Sequence, residues 1–268
     1  MHIENMIKKN LVSILILNYN NQQYLDKAIK SCLNQTHKNI EIVIYDDKSN
    51  DNSKLKILKF KKNKKIKIFF NNDKKKNIAA FDAANGYERA FKKSRGEIIC
   101  FLDSDDIFKK DKVEKIVNFF SKNKDCMLVQ NMPMEFYRQN YQKKMNKNSY
   151  FSYWPYLAPE SCISIKKDLM ISYLKKTRKL KYKFSHTWFG FRIGVFSHFI
   201  KKNFSTIDNG LTIYKGRGQS NKYQHLSMNW FLRRKESFDY LYEISNKNIK
   251  YKLSFDYFIT LIINFLFK

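Results

Sequence analysis

The four cysteines of this 268-residue chain, Cys32, Cys100, Cys126 and Cys162, lie far apart and form no CxxC or CxxH pair. That spacing excludes a zinc ligand set and a disulfide framework, and it suits a reducing cytoplasm. Lys8 and Lys9 near the start are followed by no apolar stretch distinct from a buried strand, so no secretion signal is read. No internal repeat is found. The most apolar late run, residues 255–267, is shorter than the roughly 20 residues that a membrane-spanning helix needs. Glycine and proline are scarce, at 7 and 3, whereas Asn, Ile and Phe abound, which reads as a compositional bias laid over an ordinary domain. With 43% hydrophobic and 16% aromatic residues the chain can bury one sizeable core, or one core and an appendage, and wholesale disorder is excluded.

Acidic residues are outnumbered 24 to 52, leaving a formal charge of +28. Such an excess by itself points to nucleic acid, anionic lipid or another polyanion. Here it is spread along the whole chain rather than gathered on a basic face with interleaved aromatics. Nucleic acid is therefore excluded as a partner, and attraction to anionic membrane surfaces and phosphorylated ligands is retained.

Residues 11–17 (LVSILIL) form a short apolar, β-branched run that ends in Asn18-Tyr19-Asn20-Asn21, as a buried strand ending in a polar loop does. Similar runs at 40–45, 66–70 and 98–102 end in Asp46-Asp47, Asn71-Asn72-Asp73 and Asp103-Ser104-Asp105-Asp106. Between them Leu25, Ala28, Ile29 and Cys32 fall at helical spacing, as do Ala80, Ala84, Tyr87 and Phe91, and then Val113, Ile116, Val117 and Phe120. Asp111 with Glu114 predicts an N-cap pair for the last of these. The alternation predicts an α/β fold, a mostly parallel sheet with helices on both faces. In such sheets ligands bind outside the carboxyl ends of the strands, where the acidic and amide clusters fall.

Beyond Gln130 the pattern weakens. Residues 132–156 read as a long loop over the site, 161–165 as a strand, 167–174 and 187–199 as helices, and the chain from Leu226 onward as helical.

Hard oxygen ligands hold a divalent cation, which can neutralise negative charge that develops in a reaction. Asp103 and Asp105, at i and i+2 where a strand gives way to a loop, can both reach one ion or its waters.

Taken together, VSILILNYNNQQYLDKAIKSCLNQT, EIVIYDDKSNDNS and SRGEIICFLDSDDIF resemble the family 2 glycosyltransferases in order, spacing and residue type, strongly over residues 11–130 and loosely beyond. The resemblance implies a GT-A fold, Rossmann-like, with a glycosyltransferase domain over 11–225 (donor-binding half 11–130, acceptor half 131–225) and a C-terminal helical extension over 226–268. It implies transfer of a sugar from a nucleotide-diphospho-sugar donor to a glycan or lipid-linked saccharide acceptor in surface polysaccharide biosynthesis, with inversion and a Mn2+ or Mg2+ cofactor. By the same resemblance Tyr19 stacks on the nucleobase, Asp47 accepts a hydrogen bond from it, Asp46 fixes the loop and Asn85 lies near ribose and sugar. Asp105 ligates the metal, and Asp103 contacts the ribose or the metal shell.

The chain departs from the family where an acid usually precedes the apolar helix of the second half, for it reads Phe184-Ser185-His186-Thr187-Trp188. An inverting transfer needs a base, and an imidazole can serve near neutral pH. His186 is the first candidate and Glu160 the second. If neither acts, the chain is a catalytically inactive nucleotide-sugar or glycan-binding relative. Arg217, in a glycine-flanked loop, is placed to close over a diphosphate. In the last run Asp256, Thr260 and Asn264 recur every fourth residue as a narrow polar stripe, which with Lys247, Lys250 and Lys252 suits a helix lying peripherally on the inner face of a membrane. Packing of that helix on the protein's own core or on a second subunit is the alternative.

Overall fold

The computed structural model describes residues 11–73, 76–134, 154–180, 183–215 and 226–266. Most of the predicted loop at 132–156, and Arg217, lie outside them. In chain order the elements are β1 (Val12–Asn18), α1 (Gln22–Leu33), β2 (Ile40–Asp46), α2 (Ser53–Leu58), β3 (Ile66–Phe70), α3 (Ala79–Lys92), β4 (Ile98–Asp103), β5 (Ile107–Phe108), α4 (Lys112–Lys122) and β6 (Leu128–Pro133). A 3-10 turn at Glu160–Cys162 leads into β7 (Ile163–Lys166), then α5 (Lys167–Thr177), α6 (Phe189–Val195) with a π turn at Phe196–Lys201, β8 (Phe204–Ile213), α7 (Met228–Ile244) and α8 (Phe255–Leu266).

One sheet runs β3-β2-β1-β4-β7-β6-β8-β5. The first four strands are mutually parallel, β7 is antiparallel to both its neighbours, β6 and β8 are parallel, and β5 is antiparallel to β8. Successive side chains of a strand point to opposite faces, so a strand covered on both sides must be apolar throughout. In β1 and β4, Ile14, Ile16, Cys100 and Leu102 enter a core layer with Leu25 and Ile29 of α1 and Ile116 of α4. Leu15, Ile99 and Phe101 enter the opposite layer with Tyr87 of α3, Leu169 of α5, Phe189 of α6 and Tyr240 of α7.

Two glycines permit close approaches. A Cβ on Gly86 would stand 2.3 Å from Cδ1 of Leu17, where α3 crosses β1. On Gly96 it would meet backbone, 2.5 Å from the amide nitrogen of Ser13 and 2.8 Å from the carbonyl of Leu11.

The predicted capping pair does not form. Asp111 sits at the N-cap of α4 without a side-chain cap bond. It pairs with Lys115 at 2.7 Å, and Glu114 accepts from the Thr36 hydroxyl at 2.7 Å. The apolar segment at 187–199 is helical only over α6 before it passes into the π turn, and strands β6 and β8 arise where the periodicity had weakened.

Candidate active site

The register sets Asn18 opposite Asp46 and Leu17 opposite Asp103, so the carboxyl ends of β1, β2 and β4 finish together. Asp46 is buried and accepts from Asn18 Nδ2 at 2.7 Å and from the Ser49 amide and hydroxyl at 3.0 and 2.7 Å. These bonds tie the loop after β2 to the end of β1. At that rim Tyr19 is 44% exposed.

Asp47 is also buried. Its amide donates to the Asn18 carbonyl at 2.8 Å, and its carboxylate accepts from Asn71 Nδ2 at 2.7 Å. Arg89 of α3 donates to Asn71 Oδ1 at 3.5 Å and pairs with Asp73. Asn71 and Arg89 therefore support Asp47, a role that sequence reading missed. Asn85 lies half-buried on α3, beside the close packing of Gly86 on β1.

Asp103 is half-buried and held from two sides: its carboxylate accepts from the Tyr87 hydroxyl at 2.6 Å, and its amide donates to Ser161 Oγ at 2.9 Å. Tyr87 is fully buried, its ring 5.1 Å from Phe101 and 5.4 Å from Phe189 between centroids. Ser104 points inward, its amide donating to the Leu17 carbonyl at 3.1 Å and its hydroxyl accepting from Asn21 at 2.9 Å. Asp105, half-buried, follows it. Asp106 is fully buried, with Oδ1 accepting from the Lys215 amide at 2.8 Å and Oδ2 lacking a hydrogen-bond partner among the described residues.

Glu160 joins this group from the turn before β7 and accepts from the Gly190 amide of α6 at 2.8 Å. Carboxylates crowded together and withdrawn from water resist ionisation. Burial, and then Glu160, Asp106 and Asp105, push the Asp103 carboxyl well above its ordinary range, against the Tyr87 hydroxyl. Burial followed by Asp105 pushes Asp106 up to about 7, and burial raises Glu160. Beneath them lies Lys112, fully buried, donating to the Ser161 carbonyl at 2.5 Å and Thr212 Oγ1 at 2.9 Å over the Phe108 ring. Burial lowers its pKa.

Among the described residues no group of three or more His, Cys, Asp and Glu side chains converges as a metal cage. Asp103 and Asp105 nonetheless suit an ion such as Mg2+, which binds through one or two carboxylates and completes its shell with substrate phosphates and water. A second positive group is also what this cluster of resisted charges and its unpartnered Asp106 oxygen would favour.

His186 lies on the turn before α6. Its amide donates to Glu236 of α7 at 2.8 Å, and the Thr187 hydroxyl donates to the same oxygen at 2.9 Å. The structure thus brings Glu160 to the carboxylate cluster and ties the His186 turn to α7 through Glu236, a residue that no local pattern singled out.

The Escherichia coli UDP-Glc:α-D-GlcNAc-diphosphoundecaprenol β-1,3-glucosyltransferase WfgD is 37% identical over 113 residues, 42% of this chain and 42% of its own. The chain spans less than half the length of the curated relatives it matches. Among solved structures, glucosyl-3-phosphoglycerate synthase from Mycobacterium tuberculosis, in complex with Mn2+, UDP-Glc and phosphoglyceric acid, superposes with a TM-score of 0.58 at 11% identity, covering 88% of this chain and 83% of the other. TarS 1-349 of S. aureus, in complex with UDP-GlcNAc, superposes with a TM-score of 0.57 at 16% identity, covering 89% and 72%. These likenesses show the GT-A fold. The profile described as glycosyl transferase family 2 matches residues 13–202, from the first strand through α6, and the chain belongs to that family.

Proposed function

We propose that this protein transfers a sugar from a nucleotide-diphospho-sugar to a glycan or lipid-linked saccharide acceptor in surface polysaccharide biosynthesis, with inversion, at the cytoplasmic face of a membrane. The observation that carries this reading is the crowding of Asp105, Asp106 and Glu160 around Asp103 beside the ends of β1 and β2, where Tyr19, Asp46 and Asp47 frame a second, partly aromatic rim. WfgD is named for a UDP-Glc donor and a diphosphoundecaprenol-linked acceptor, which supports the same classes of substrate here.

Tyr19 stacks on the base, Asp47 accepts a hydrogen bond from it, and Asp46 holds the loop between them. Asn85 approaches ribose and sugar, and Arg217 the diphosphate. Asp105, with Asp103, would hold a Mn2+ or Mg2+ ion, which when bound supplies the positive charge that stabilises the leaving nucleoside diphosphate. Of the two candidates for the base, Glu160 takes precedence over His186. It stands in the carboxylate group, and its burial raises its affinity for the acceptor proton.

The experiment is a panel of nucleotide-sugars assayed for hydrolysis and transfer with and without Mn2+. Asp105→Ala abolishes turnover if the assignment holds; unchanged activity and metal dependence would refute it. Glu160→Gln reduces kcat by about 10²–10⁴-fold, the range for a lost general base, with donor affinity little changed. If His186→Ala gives that loss instead, the base is the histidine. The second reading, a catalytically silent relative, is favoured by the histidine standing where the family usually has an acid. It predicts nucleotide binding with metal and no consumption of donor.

A further inference from the structure

Helix α8 is turned inside out. Its polar stripe faces the protein: Asp256 pairs with Arg234 of α7, Thr260 is buried and donates to the Asp256 carbonyl at 2.8 Å, and Asn264 donates to the Phe231 carbonyl at 3.0 Å. Arg234 is clamped in turn between Trp154 and Trp230, 4.9 and 4.8 Å from their ring centroids. The helix therefore cannot roll without breaking an enclosed ion pair. On the opposite side Phe255, Phe258, Ile262, Phe265 and Leu266 are 42–81% exposed, and they follow one another at i, i+3, i+7, i+10 and i+11. That spacing makes a continuous apolar stripe on one face. Water normally receives the polar face of a surface helix, and here it receives the apolar one.

We propose that this face docks onto an anionic lipid surface, lying in the headgroup region parallel to the bilayer. The inference deepens the proposed function by giving its membrane-side acceptor a physical point of attachment. Charge complementarity selects the occupant. A second copy would bring a formal charge of +28 against another +28, whereas anionic headgroups complement it, including the exposed Lys247 and Lys250 in the segment that leads into the helix.

The test is co-sedimentation of the full chain with phosphatidylcholine vesicles with and without 30% phosphatidylglycerol, a composition of about one anionic lipid in three. The wild type binds the anionic vesicles preferentially, and less so at high salt. Phe258→Ser with Ile262→Ser, both on the outward face, lowers the partition coefficient about tenfold or more while the thermal transition is retained. Lys247→Glu with Lys250→Glu removes about fivefold per lysine from anionic vesicles alone. The proposal is overturned if the wild type ignores anionic vesicles or if the Phe258 and Ile262 substitutions leave binding unchanged. It is likewise overturned if sedimentation equilibrium shows a dimer that those substitutions disperse. Donor hydrolysis without vesicles is measured on the same preparations, so that the docking and the transferase reading can fail separately.

Discussion

Tyr87→Phe isolates what one hydroxyl does for the site. Its ring is fixed by Phe101 and Phe189, and phenylalanine fills the same space except for the oxygen that donates to Asp103 at 2.6 Å. The loss is thus a single hydrogen bond to a carboxylate, about 1.5–3 kcal/mol, equivalent to about 10–150-fold in an equilibrium constant. That bond is also what opposes the upward push of burial and of Glu160, Asp106 and Asp105 on the Asp103 carboxyl, so the variant holds its proton more tightly and competes less well for a cation. Partners that orient a metal ligand typically contribute 10–100-fold in metal affinity. The expected result is a rise of about that size in the Mn2+ concentration giving half-maximal donor hydrolysis, with the rate at saturating Mn2+ within a few-fold of wild type. The melting temperature should fall by only a few degrees, because Asp103 can take up a proton rather than remain charged and poorly compensated. An unchanged Mn2+ requirement, with the fold intact, would refute the role given to Asp103 and to the hydroxyl behind it.

Glu41 is buried and accepts from Ser13 at 2.6 Å and Lys67 at 2.9 Å; burial pulls its pKa up, but these bonds and the Arg95 amide outweigh it and hold it low. Its ionised form therefore stabilises the fold above the unfolded pKa of about 4.3, and this contribution is lost as pH falls through the lower folded value. Glu41→Gln should melt several degrees below wild type at pH 7, and the gap should narrow below pH ~5; a gap independent of pH would contradict the assignment. Gly96→Ala, whose Cβ would strike backbone, should destabilise by about 2–3 kcal/mol in urea titration. Gly86→Ala should cost less, because Leu17 can rotate and alanine gains about 1 kcal/mol of helix propensity; the reverse order would show that α3 yields less readily than β1. Asp47→Ala should weaken nucleotide binding, read by calorimetry, with the melting transition preserved; equal affinity would remove it from the base site.

The first four strands were legible because their residues are mainly apolar, with Ser13, Glu41 and Lys67 the interruptions, and their polar ends stand out. β8 was not: Phe204–Ile213 leaves Asp208 and Asn209 in solvent and buries mainly Leu211 and Thr212, which gives no periodic signal. The acids Asp46, Asp47, Asp103 and Asp105 could be singled out because each follows an apolar run, and Glu160 was marked only as a rival base. Tyr87 reads in sequence as one more apolar position on α3, and nothing local says that its hydroxyl reaches a residue 16 positions away. Glu236 is invisible for the same reason, since its partners His186 and Thr187 lie 50 and 49 residues back and belong to another element. Asp111 and Glu114 show the converse: a correct local pattern lost to competitors, Lys115 and Thr36, that bind the same carboxylates.

The position of β7 between β4 and β6 has a consequence for synthesis. On the ribosome, β3, β2, β1 and β4 can pair once Asp103 has emerged, yet the strand that covers the far edge of β4 begins about 60 residues later, at Ile163. At 5–20 residues per second that edge stays open for about 3–12 s. During this interval β6, the next long strand to appear, is an available partner, although in the finished sheet it pairs with β7 and β8 and not with β4. A nascent chain that adds β6 directly to β4 has filled the place reserved for β7, and the turn carrying Glu160 and Ser161 then cannot reach Asp103.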